Sequence, residues 1–540
     1  MGRIFHGEIT GDPNRPAKRL TSCDVDPDVE VGDLVAQWDH YFIWDEACIK
    51  GKDLEKLRSE GDEICDDVVK FLGMGKGDML AKLEGYISST PRKNWRPCIA
   101  KFWESVNTEP PPGANSANGR LRPNFDSTSD SGTLSRGQEV FWRYISPILT
   151  SLLHFSLVGI SESYGILMKG GFSAPKVIEV LLHTSYLTSP SSALTNRRLF
   201  ETTQMVLDAM NDMTPEKGIG WRSVLKVRML HSHVRIRLLK SDKFNTSEYG
   251  IPINQEDLLA TLGAFSVACI WSMERMKIYI SQEDKEAYIA AWKHIGYYMG
   301  IQSRYVERFY RNYHAAEKHL CSSIVRLLEP ELGKPSGMLP LQLLNGISNR
   351  PLYGHSIEYH AELSRTLIGD ELADIFQLPR GNLQTRTGLW GSMTMMRLEL
   401  WFGRWYRSGW EKERIRLMKE FVDWLVMWQV GKRQAFERTD FGYKKVVIGD
   451  SAPKRDEMNG IHQPSPSDGI IKADLKDDQV DKTDGNVNVK VDRAYIKSLK
   501  RRYYWIIVFE PALLIASAFC LTGWTIWRCT GWIHFGLQHN

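Results

Sequence analysis

Apolar residues that recur every three or four positions constrain this chain more than any other feature. The pattern runs through residues 146–161, 197–211, 220–240, 255–280, 281–300, 301–328 and 395–430, and that period marks helices that each bury one face. Strand signals between these segments are few and Gly and Pro punctuate them, so the expected fold class is all-α. Asn254, just ahead of Glu256 and Asp257, is placed to cap one helix. Ser281, with Asp284 three residues on, forms a near capping box for the next. The apolar run 258–273 falls short of a membrane span, and Glu274, Arg275 and Lys277 follow it at once, so it reads as a buried core helix.

Two stretches interrupt the helical pattern. Residues 108–137, containing PPPGANSANG and DSTSDSGT, have the composition of a long surface loop. Residues 448–491 are rich in Asp, Lys, Gly, Pro and Ser, and cannot bury enough apolar surface to offset the entropy of ordering. The expected organisation is an N-terminal extension over 1–56, a helical body over 57–433 and a flexible tether over 434–496. A transmembrane helix over 503–527 and a short tail over 528–540 complete it.

The transmembrane reading rests on YYWIIVFEPALLIASAFCLTGWTIW, long enough to cross a hydrocarbon layer that needs about 20 apolar residues. Tyr503, Tyr504 and Trp505 at one end, and Trp524 and Trp527 at the other, match the aromatic belts of the two interfaces. Lys497, Lys500, Arg501 and Arg502 precede the segment and only Arg528 follows, which keeps the body on the cytosolic side. Glu510 is costly in a bilayer and Pro511 breaks the helix ladder, but both lie near the basic end, where a carboxylate reaches the interface. With no apolar run at the amino terminus, the expected destination of this anchor is the endoplasmic reticulum.

Composition narrows the function classes. At 42% hydrophobic and 25% charged residues, the chain is neither disordered throughout nor a polytopic transporter. A net charge of +4 over 540 residues creates no field that would collect phosphates, so nucleic acid is not an expected partner. None of the eight cysteines forms a C-x-x-C pair. There is no Glu-x-x-His pair of a helical di-iron site, no G-x-S-x-G elbow and no H-E-x-x-H helix, and GMGKGD at 73–78 lacks the spacing of a phosphate loop.

Two constellations remain. In VRMLHSHVRIRLL, His231 has Arg228 one turn before it and Arg235 one turn after, on one helical face, while His233 points elsewhere. Such a histidine can offer an imidazole nitrogen to a haem iron, with the arginines near propionates or another carboxylate. By pattern alone, a core histidine satisfied by its neighbours is the commoner outcome. In RRLFETTQMVLDAM, the spacing of Arg198, Glu201 and Thr202 groups a cation, a carboxylate and a hydroxyl on one patch. Glu201 is a candidate base, and an ordinary intrahelical ion pair is the alternative. Trp401, Trp405, Trp424 and Trp428 recur among basic residues, which fits either core packing or contact with a membrane surface.

RRLFET at 197–202, VRMLHSHVR at 227–235 and PINQEDLLATLGAFSV at 252–267 together resemble the latex clearing protein family, which includes bacterial rubber oxygenases and the fungal endoplasmic-reticulum oxygenase MpaB of mycophenolic acid synthesis. EGDEICDDVV, LSRGQEVFWRY, AYIAAWKHIGYYMGI and RTLIGDELADIFQLP add weaker support in the same order, so the resemblance covers about residues 60–379. It implies a globin-like helical core that binds haem b, with dioxygen as co-substrate and cleavage of C=C bonds in isoprenoid chains. It also implies His231 as the metal ligand, with Arg198 and Thr202 on the opposite, distal side. Some rubber oxygenases have lysine where this chain has Glu201, which puts rubber itself in doubt. Together with the anchor, this leans toward the MpaB-like branch and a prenylated or lipid-like small molecule, as in fungal secondary metabolism. A different class of function, a membrane-tethered helical binding or scaffold protein without turnover, fits the same segments.

Overall fold

The computed structural model describes residues 3–20, 28–73, 78–107, 130–152, 192–241, 244–327, 344, 348, 355–406 and 408–430, with scattered positions from 498 to 525; side chains at 130–133, 192–199, 408 and 424–430 lie outside the description. The chain opens on a small sheet that helical periodicity does not announce. Its strands are β1 (Ile4–His6), β2 (Lys18–Arg19), β3 (Leu34–Gln37) and β4 (His40–Ile43), ordered β1-β4-β3-β2. β3 and β4 form an antiparallel pair with Val35 opposite Phe42, and β1 and β2 join parallel at the two edges. The all-α expectation is therefore corrected: a mostly helical body carries a four-stranded sheet at its start. Strands of two to four residues hold too few alternations for a period of two to stand out. Lys318 Nζ donates to the Ile43 carbonyl at 2.6 Å, and His6 and His40 share a ring-to-ring hydrogen bond of 2.6 Å. The sheet is thus bound into the helical body.

The first helices are α1 (Gly51–Leu57), α2 (Glu63–Leu72), α3 (Met79–Ser89), α4 (Pro97–Asn107) and α5 (Asp130–Arg143). Next come α6 (Ser192–Ala209), α7 (Ile219–Leu239), α8 (Thr246–Tyr249), α9 (Gln255–Phe265), α10 (Val267–Arg275) and α11 (Gln282–Tyr298). The last are α12 (Ser303–Phe309), α13 (Tyr313–Leu327), α14 (Ile357–Ile368), α15 (Asp370–Ile375), α16 (Leu383–Trp405) and α17 (Ser408–Val430). Both anticipated caps form: Asn254 Oδ1 accepts from the Asp257 amide at 3.0 Å, and Ser281 Oγ from the Asp284 amide at 3.2 Å. The loop expected over 108–137 ends early, because α5 begins at Asp130. Residues 108–129 and the expected tether over 434–496 lie outside the described residues.

Helix crossings are made close by small residues. A Cβ built on Gly137 of α5 would stand 2.3 Å from the Ala287 carbonyl oxygen and 2.5 Å from Ala291 Cβ on α11. Larger side chains there would force the helices apart. Among the described residues, one helical stretch, Gln255–Arg275, is long and apolar enough to span a membrane, and it is mostly buried in the body. That placement agrees with the core reading of 258–273. The 503–527 segment is described only in part, with a π-helical turn at Trp505–Phe509 and helical positions between 512 and 525. It meets the body where Tyr406 Oη donates to Glu510 Oε1 at 3.1 Å and Trp410 Nε1 donates to the Ile506 carbonyl at 3.0 Å.

Candidate functional site

α7 buries charge as well as apolar side chains, and α2 supplies the counter-charges. Arg228 forms a two-point pair with Asp62, Nε to Oδ2 at 2.6 Å and Nη2 to Oδ1 at 2.9 Å. Two turns on, Arg235 Nη1 donates to Asp66 Oδ1 at 2.5 Å, while its Nε and Nη2 donate to the carbonyls of Pro252 and Ile253 at 3.1 and 2.8 Å. Ser232 Oγ donates to the same Asp66 oxygen at 2.6 Å. Burial raises the Asp66 carboxyl above its ordinary pKa, against the opposing pull of Arg235 and Ser232. Two-point arginine–carboxylate pairs fix both distance and orientation, so α7 is locked in rotation against α2. Gly300 makes room for the first pair: its φ is +98°, and a Cβ there would fall 2.3 Å from Asp62 Oδ2 and 2.9 Å from Arg228 Nε.

His231 sits between these two clamps. Its Nδ1 is buried and has no hydrogen-bond partner among the described residues, while the ring as a whole is only partly covered. Burial, reinforced by the positive charge of Arg235 and opposed by Asp62, lowers its pKa from 6.5 to about 4. The imidazole is therefore neutral at neutral pH, the form that ligates metal. A buried nitrogen without a partner is uncommon and costs stability unless something supplies one. An orphaned, neutral, partly accessible imidazole on a rotationally fixed helix fits an axial haem ligand. Arg228 and Arg235 take a different place from the one expected. Their guanidinium groups are engaged by Asp62, by Asp66 and by backbone carbonyls, so they act as mounts for the helix rather than as open partners for propionates.

α6 and α7 form an antiparallel hairpin. Asp208 of α6 accepts from Ser223 Oγ of α7 at 2.6 Å and from Gln204 Nε2 at 2.7 Å. Glu201 stands seven positions before Asp208 on α6, and His231 eight positions after Ser223 on α7. Glu201 is buried and Thr202 part-buried. Arg198 belongs to the same helix, one turn before Thr202, with its side chain outside the description.

Sequence reading missed Asp62 and Asp66. Both stand in the EGDEICDDVV fragment, where two aspartates one turn apart faced no evident partner; Asp62 and Arg228 are 166 positions apart in the chain. His319 was also missed: it is fully buried, neither ring nitrogen has a partner among the described residues, and burial lowers its pKa to about 3. Among the described residues, no three His, Cys, Asp or Glu side chains gather as a metal site.

The described residues form a mostly helical body in which His231, on a clamped helix, keeps a buried nitrogen without a partner. Residues 164–398, which include α6, α7 and His231, match the family described as "ER-bound oxygenase mpaB/B'/Rubber oxygenase, catalytic domain". The matched segment, less than half of the chain, is similar to the catalytic domain of this MpaB/Lcp family, a family of oxygenases. Among solved structures it aligns with "Structure of Latex Clearing Protein LCP in the closed state", at 18% identity over 56% of this chain and 73% of that one, with a TM-score of 0.42. No match is found among curated proteins.

Proposed function

We propose that this protein is a membrane-anchored, haem b-dependent oxygenase that uses dioxygen to cleave C=C bonds of an isoprenoid, prenylated or lipid-like small molecule. The observation that carries the reading is His231, whose buried Nδ1 has no partner and whose helix is held by two buried arginine–aspartate pairs. His231 would hold the iron, and Arg228 and Arg235 hold the helix that would present it. When bound, haem b supplies the redox chemistry toward dioxygen and the alkene. Burial keeps the imidazole neutral, and Arg198, Glu201 and Thr202 lie on α6, the helix that precedes α7. Glu201 is the residue suited to handling a proton, with Thr202 as a hydroxyl beside it in sequence.

The 503–527 segment is proposed as a single-pass anchor in the endoplasmic reticulum, with the body in the cytosol and the substrate arriving from the membrane. Exposure of Tyr504, Trp505, Phe509, Leu513, Leu521 and Trp524 supports this, since such a row of apolar side chains is stable in lipid and not in water. Glu201→Gln is expected to keep haem and lose turnover on prenylated substrates, assayed by carbonyl cleavage products. Wild-type turnover in that variant would remove Glu201 from the chemistry.

A further inference from the structure

Helix α16 carries a face that nothing in the described chain covers. Leu383, Trp390, Leu398, Trp401 and Trp405 are 78%, 65%, 48%, 62% and 71% exposed. At about 100° per residue they share an arc of roughly 80°, so they form one stripe along a 23-residue helix. The opposite side of α16 holds the helix to the body through buried Leu389, Met393 and Gly403. Charge on the helix is sorted in the same sense. Arg386, Arg397 and Arg404 line one flank of the stripe, Arg386 pairing with Glu362 at 3.0 Å, Arg397 donating to the Met276 carbonyl at 2.8 Å and Arg404 exposed, and the helix's only acid, Glu399, turns inward to pair with Arg414 at 3.0 Å.

An apolar stripe rich in Trp, flanked by arginines and free of exposed acids, is what the headgroup boundary of an anionic bilayer selects. The stripe also continues into the exposed apolar segment that follows it in space, because Tyr406 at the end of α16 donates to Glu510 and Trp410 donates to the Ile506 carbonyl. We infer that α16 lies along the membrane surface, with this stripe at the acyl boundary and the exposed Arg404 toward lipid phosphates. A second contact of this kind sets the orientation of the catalytic body, which a single tethered span leaves free to rotate. The inference rests on the membrane attachment proposed above and adds the surface that touches the bilayer.

The test uses the full chain in vesicles of phosphatidylcholine and phosphatidylserine, with a photoreactive benzoylphenylalanine in place of Trp401. A control chain carries the same group in place of Lys56, an exposed side chain in α1. Irradiation is expected to yield phospholipid adducts at position 401 and none at 56. Adding Trp390→Glu and Trp405→Glu should abolish the adducts at 401 while leaving thermal unfolding unchanged. Absence of lipid adducts at 401 overturns the inference, and so does cross-linking there to a second protein chain. Carbonate extraction, run in parallel, reads the anchor separately: release of the chain defeats the span, whereas adducts at 401 report on α16 alone.

Discussion

Two long helices break the usual rule of burial in opposite directions. α7, of 21 residues, buries Arg228 and Arg235, whereas α16, of 23 residues, leaves three tryptophans in the open. In α7 the buried charges are matched by Asp62 and Asp66, and the one group left without a partner is a nitrogen of His231. In α16 the one acid turns inward and, among the described residues, the apolar stripe has no cover. The difference separates two kinds of unfinished surface. A single orphan atom on a rigid mount calls for a small, directional ligand, whereas a broad apolar stripe calls for a solvent of its own kind.

Removing a counter-charge should show the largest effect. Asp62→Ala leaves Arg228 buried and unpaired, which is expected to cost about 3–5 kcal/mol in urea unfolding, while the double change Asp62→Leu with Arg228→Met should recover most of that loss. A small loss in the single variant would mean that α2 does not clamp α7. Acid should act next, through histidines outside the candidate site. Burial lowers the pKa of His40 and His294 from 6.5 to about 4, and that of His319 to about 3. The unfolded chain therefore binds protons first as pH falls, so stability should hold above about pH 6.5 and decline from there toward pH 4. A flat profile over that window would contradict the buried neutral imidazoles. The smallest effect belongs to α16: Trp401→Glu should change stability by no more than about 0.5 kcal/mol, because the side chain packs on little. A larger loss would mean that the stripe is part of the core.

The same contrast explains what sequence could tell. Periodicity located α7, and local chemistry located the Asn254 and Ser281 caps, because these depend on neighbours within one turn. It also placed 258–273 in the core rather than in a membrane. It gave no warning of β1 to β4, whose strands are too short to show a pattern, and it left Asp62 and Asp66 without a role because their partners lie far along the chain. The tryptophans of α16 were visible in the sequence with two readings open, and only their exposure separates a packed face from an uncovered one. His231 stood out through the resemblance to a known family; its unpartnered nitrogen could be seen only in the fold.

The most direct measurement is the absorption spectrum of the purified full chain beside its His231→Ala variant, both expressed with ample haem supply. The wild-type chain is expected to show a Soret band, and the variant to lose it or carry sharply less haem while remaining folded. A colourless wild-type chain, or a variant with undiminished haem, would contradict the assignment of His231 as the iron ligand.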